Sequence, residues 1–186
     1  MKPIGPLMRE HRLIERMVAL LNKELQLILE KHSPDIDFIF QAVDFFRTYA
    51  DRTHHGKEET ILFKALDNKP LSPEHRRIMN ELIEEHVWGR QKVKQLAQAG
   101  EDYNNGRTET LFYKITSCLE ELASFYPAHI LKEDEHFFYP CLEYLSKKEQ
   151  DDMLQEFWEF DRTLIHEKYQ QMVEKLTAGL TLKSNV

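Results

Sequence analysis

Two His-x-x-x-Glu pairs, His54/Glu58 and His129/Glu133, are the residues of this chain best suited to chemistry. An offset of four puts both side chains of a pair on one helix face, about one turn apart. A neutral imidazole and a carboxylate so placed can reach the same cation. Two further histidines stand in apolar slots of hydrophobic rows: His11 in Ile4, Leu7, His11, Ile14, Val18, and His86 in Met79, Leu82, His86, Gly89, Val93. Carboxylates buried among Leu, Ile and Phe without partners would cost on the order of several kcal/mol each. A cation between them removes that cost. The set His11, His54, Glu58, His86, His129 and Glu133 offers nitrogen and oxygen but no thiolate, which points to iron, manganese or zinc rather than Cu(I) or an iron–sulfur cluster. Six side chains exceed the four of a tetrahedral zinc and suit two ions. Taken singly, each histidine reads as a hydrogen-bonded core residue and each His/Glu pair as a solvated salt bridge. The recurrence of the pattern on four helices is what points to metal.

Helical periodicity must position these residues. Three-four spacing of apolar residues predicts helices over residues 4–29, 35–66, 73–100, 109–139 and 147–177. Ser33 and Pro34, Ser72 and Pro73, and Ser146 are the expected start signals, and Gly100 the expected stop of the third helix. Pro127 is expected to kink the fourth helix, and the tail after Thr177 to fray. No segment shows the period-two alternation of a strand. The expected fold is all-α: an up-down-up-down four-helix bundle over about residues 4–145 with an additional C-terminal fifth helix, in a single domain of 186 residues.

Composition narrows the function. A net charge of -7 gives no basic field for nucleic acid. Two cysteines make no disulfide framework, and no zinc spacing of Cys and His occurs. No apolar run is long enough to span a bilayer, and the charged start MKPIGPLMREHRLIERM does not read as a signal peptide. A cytoplasmic protein without a membrane partner is the expectation. Nucleotide-loop, nucleophile-elbow and HExxH motifs are missing.

The layout His…His-x-x-x-Glu…His…His-x-x-x-Glu resembles the hemerythrin-like, HHE cation-binding family. MREHRLIERM, HHGKEETILFKAL, EEHVWGRQ and HILKEDEHFFYP carry the likeness. The resemblance implies two iron ions in the bundle, with His11, His54, Glu58, His86, His129 and Glu133 as ligands. It implies a small diatomic ligand, O2 or NO, held for sensing, storage or detoxification. A di-iron redox enzyme, of peroxidase or nitric oxide/iron–sulfur repair type, and a metal-free helical interaction module remain as alternatives. Oxygen-carrying members have two histidines four apart on the third helix; here the neighbours of His86 at that offset are Leu82 and Arg90, so a fifth histidine is missing there.

Other residues are weaker candidates. His55/Glu59 is a second pair offset by one, less favoured than His54/Glu58, with Glu59 a candidate acceptor behind the ligands. His166 reads as a surface or hydrogen-bonded residue that could reach the bundle end. His75 lies too far along its helix from His86, roughly 16 Å, to share a cluster. His32 and His136 read as non-ligands, Cys118 as packing, and Gly89 as space for a small ligand or for close packing. The fifth helix leaves room for a homodimer.

Overall fold

The computed structural model describes residues 2–161 and 165–184, and all its regular structure is helical. The first helix, α1, is Ile4–Lys31 and stops at His32, whose φ of 51° is left-handed. Helix α2 covers residues 36–67 in consecutive stretches: Ile36–Phe45, Phe46–His55, Glu58–Phe63 and Lys64–Asp67. Helix α3 is Pro73–Asn105. Helix α4 covers residues 109–141, from Glu109–Leu131 through Lys132–Phe137 to Phe138–Cys141. Helices α5, Lys147–Phe160, and α6, Ile165–Ser184, complete the chain.

Local chemistry sets these boundaries. Asp35, not the expected Ser33, caps α2 and accepts from Phe38 N at 3.1 Å. Ser72 accepts from His75 N at 3.1 Å, with Pro73 in the first turn of α3. Thr108 caps α4, and Ser146 and Glu149 form a reciprocal capping box on α5. Gly100 does not stop α3, which runs five residues further to Asn105 before Gly106 turns extended. A Cβ at Gly100 would lie 3.2 Å from Ile39 Cγ2, so this glycine lets α2 approach α3 closely. Pro127 sits inside Glu109–Leu131 without ending it. The expected fifth helix is two: α5 ends at Phe160, and α6 continues past Thr177 to Ser184.

The four long helices close a ring, α1 against α4, α4 against α3, α3 against α2 and α2 against α1. Helix α6 packs on α1 and α2, and α5 on the Glu58–Phe63 stretch in the second half of α2. Buried apolar residues form two separate clusters. One is built around Ile14, Phe46, Leu96 and Leu119, the other around Leu7, Leu66, Leu82 and Phe137. No helix among the described residues is long and apolar enough to cross a membrane.

Candidate metal centre

A layer of buried polar side chains separates the two apolar clusters. His11 is in α1, His54, His55 and Glu58 in α2, His86 in α3, and His129 and Glu133 in α4, each 2% exposed or less. Three stretches of wider π-helical turn, Phe46–His55, Glu58–Phe63 and Lys132–Phe137, carry four of these residues. Such turns insert a residue into an α-helix and recur at functional sites. Thr53 Oγ1 donates to the carbonyl of Thr48, five residues back, at 2.8 Å, following the wider turn. The insertion also lets the consecutive residues His54 and His55 both lie inside.

The seven side chains fall into two groups. One ligand atom from each of His11, His54, Glu58 and Glu133 lies within 4.8 Å of the others, and one ring nitrogen from each of His55, His86 and His129 does likewise. The carboxylates join the groups. Glu133 places Oε2 3.1 Å from His11 Nε2 and Oε1 3.3 Å from His129 Nε2. Glu58 places Oε1 3.4 Å from His54 Nε2 and Oε2 3.5 Å from His86 Nε2.

Behind the centre lies a cyclic set of hydrogen bonds. Glu10 of α1 accepts from His54 Nδ1 of α2 at 2.9 Å, and Glu59 of α2 from His86 Nδ1 of α3 at 2.7 Å. Glu85 of α3 accepts from His129 Nδ1 of α4 at 2.8 Å, and Asp134 of α4 from His11 Nδ1 of α1 at 2.8 Å. Each helix thus supplies an acid to the histidine of the next. Every acid is in turn paired with a cation: Glu10 with Lys57, Glu59 with Arg90, Glu85 with Lys132 and Asp134 with Arg12. Carboxylates on Nδ1 fix the tautomer and the ring, leaving Nε2 as the inward ligand atom.

A sequence profile described as the hemerythrin HHE cation binding domain matches residues 2–141. The chain belongs to this hemerythrin family. No curated protein matches it.

Hemerythrin-family metal chemistry can be tested against the residues in place. The Nε2 atoms of His11, His54, His86 and His129 and all four oxygens of Glu58 and Glu133 are buried without a hydrogen-bond partner. Native proteins rarely leave such groups unsatisfied. Metal–ligand bonds of 2.0–2.2 Å would set neighbouring ligand atoms roughly 3.0–3.5 Å apart, which is the spacing of these four His–Glu contacts. The donor set therefore fits bound metal cations.

Charge in this layer is finely opposed. Burial works against a proton on His11, but Asp134 and Glu133 outweigh it and hold the pKa up at about 9. Burial, then the neighbouring His11, pushes His54 down to about 4 against the pull of Glu10. Burial and the charge of Glu133 push Glu58 well above the usual carboxylate range. Burial raises Glu133 too, but His129, His11 and His86 hold it well below that range. At neutral pH in the metal-free protein a proton on His11 Nε2, facing Glu133 Oε2 at 3.1 Å, therefore takes part of the place of the cation. Its contribution to stability is full below about pH 6.5 and is lost as pH rises through 9. A cation at Nε2 must displace that proton. Metal uptake at pH 7 is expected to release about one proton from His11 and further shares from His86 and Glu58, with the His11 share vanishing above about pH 9. Calorimetry in buffers of different ionisation enthalpy measures this. Uptake with no proton release at pH 7 would contradict imidazole ligation by His11.

The structure brings His11, His54, Glu58, His86, His129 and Glu133 into one layer, together with His55, which the sequence ranked lower. Glu59 takes the acceptor position considered for it. His166 bonds Tyr49 Oη at 3.0 Å and lies 3.2 Å from Asp161, outside the centre. Glu10, Asp161 and His166 could hold a cation, but the ammonium of Lys57, itself fully buried, already pairs with both acids. His75 bonds Tyr144 Oη at 2.9 Å, and His32 pairs with Glu109 at 2.8 Å on the surface. Cys118 and Cys141 are buried and free. Gly89 faces the Phe125 ring.

Sequence reasoning missed Glu10, Glu85 and Asp134 as acceptors. A signal was present: each is the immediate sequence neighbour of a candidate ligand, in the doublets Glu10-His11, Glu85-His86 and Glu133-Asp134.

Proposed function

We propose that the chain is a non-haem di-iron protein that takes dioxygen or a related diatomic, such as nitric oxide, into its core for sensing, storage or detoxification. The eight buried ligand atoms of four histidines and two glutamates, converging from four helices, carry this reading. His11, His54, His55, His86 and His129 would hold the ions, with Glu58 and Glu133 shared between them. Bound iron would supply exchangeable coordination positions and redox activity. The chain's own residues orient and seclude the site. The four acids fix the imidazoles, and Phe138, Phe63 and Phe125 stack on His11, His86 and His129 with ring centroids 5.6, 5.9 and 5.2 Å apart, excluding water.

The reading includes a single up-down-up-down domain with α5 and α6 packed against its side, supported by the closed ring of helix contacts. It also includes a homodimer through the C-terminal helices, in favour of which Trp158 and Phe160 of α5 are 54% and 43% exposed.

Iron loaded anaerobically into the full chain should reach about two ions per molecule by the ligand count. Exposure to dioxygen or nitric oxide should then produce an optical band that reverses on evacuation. A band that decays with consumption of peroxide or nitric oxide would favour the redox enzyme. Less than one iron per chain, with a spectrum indifferent to either gas, would remove the reading altogether.

A further inference from the structure

His55 is held differently from the four other histidines of the centre. Each of those donates Nδ1–H to a carboxylate at 2.7–2.9 Å. His55 Nδ1 is buried without a partner, and the nearest acid, Asp51 Oδ1, is 3.7 Å away. Asp51 is committed elsewhere, accepting from Arg90 Nε at 2.6 Å. The His55 ring is kept in place by stacking on His86, with centroids 3.8 Å apart and planes 11° from parallel. An acceptor on the second ring nitrogen raises imidazole basicity, and its loss commonly costs 10–100-fold in metal affinity. His55 is the one imidazole of the set with no carboxylate within hydrogen-bond distance of Nδ1.

It is also the one that meets a cleft. A cavity of about 330 Å³ between α2, α3 and α4 is lined by His55, Gly89 and Tyr126 and by a rim that includes Arg47, Arg52 and Lys94. Those three cations form no ion pair among the described residues. Asp51 is the acid of the lining, and Arg90 of the same lining pairs with it. In a chain of net charge -7, this is a local cationic mouth. Such a mouth concentrates anions and accelerates their entry.

We propose that His55 is the exchangeable arm of the centre, and that a small monovalent anion entering by this cleft takes its place. The proposal rests on the di-iron reading above. The exchange is a ligand substitution: one nitrogen lone pair leaves, one anion lone pair arrives, and no electron changes owner. Gly89, having no side chain, keeps the cleft open beside the ring, and Phe125 rather than a polar group backs it.

The test uses the full chain loaded with cobalt(II), with azide as the anion. Ring-proton resonances of metal-bound histidines are shifted far outside the ordinary range, and the His55 signal is the one that disappears in His55→Gly. Azide should return that signal to the ordinary range while the other four stay shifted. His55→Gly should lose less than about tenfold in cobalt affinity, against more than about 100-fold for His129→Gly. Added imidazole should restore the first variant and not the second. Replacing Arg47, Arg52 and Lys94 together with Glu should slow azide entry by about tenfold or more and reverse its salt dependence. The proposal is overturned if the His55 signal stays shifted with azide bound, if it is never shifted, if azide is not taken up, or if His55→Gly loses cobalt as fully as His129→Gly. A wild-type chain that binds no cobalt would instead bring down the metal reading, and this exchange with it.

Discussion

Glu133→Gln should strip the centre of metal. The substitution keeps the shape of the side chain and removes the charge that faces both halves of the site, with Oε2 at 3.1 Å from His11 and Oε1 at 3.3 Å from His129. A neutral amide is a poor ligand for a hard divalent ion. On the proposed two-ion reading both ions lose a carboxylate at once, so affinity should fall by well over about 100-fold, beyond the 10–100-fold expected for Asp134→Asn behind His11. Equilibrium dialysis with metal analysis reads the result. The metal-free variant must be shown to keep its helical circular dichroism, so that loss of metal is not loss of fold. A folded Glu133→Gln chain with its full complement of ions would sink the bridging assignment.

Lys57→Met should be the most destabilising change outside the centre itself. Lys57 is fully buried, and its ammonium pairs with Glu10 and with Asp161 at 2.7 and 2.9 Å. Burial raises the carboxyl of Glu10, but His54 and Lys57 together hold it below the usual range, so the acid is ionised in place. Methionine fills similar volume and leaves that charge without its cation. Breaking one partner of a buried ion pair commonly costs about 3–5 kcal/mol. For a chain of this size such a loss should lower the melting temperature by roughly 10 °C or more. Glu10→Gln in the same chain should recover part of the loss, because the uncompensated charge is gone. Thermal unfolding of the metal-free single and double variants measures both terms. A single-variant loss under about 1 kcal/mol would show that the Lys57 charge is not isolated from solvent.

The periodic rows made the helices legible, because a ridge of apolar residues has to be buried whatever the details. They also placed His11 and His86 inside, since each replaces a hydrophobic residue in such a row. His55 was harder. In an ordinary helix, His54 and His55 point about 100° apart and only one can face the core. The structure widens the turn that holds them, and nothing in local propensity announces a wide turn. The layer holds five imidazoles, two of them consecutive on α2 and one on each of the other three long helices. Arg90 stands at the offset where a fifth histidine was sought, and α2 supplies the extra imidazole. Gly100 misled for a related reason. Its role in letting Ile39 approach depends on a neighbouring helix, which a reading of α3 alone does not see. The acid-to-histidine cycle was hidden because each link joins different helices, although every acid stands beside a ligand in the chain.

The separation of the apolar interior into two clusters gives the molecule an unusual mechanical plan. Along α1 the chain leaves the cluster of Leu7, passes His11 and enters that of Ile14; α3 makes the same passage at His86, and α2 and α4 make it in reverse at His54 and Glu133. The two greasy compartments therefore lie on either side of a charged partition that all four long helices cross, and its buried acids and imidazoles have to be balanced for both to stay packed.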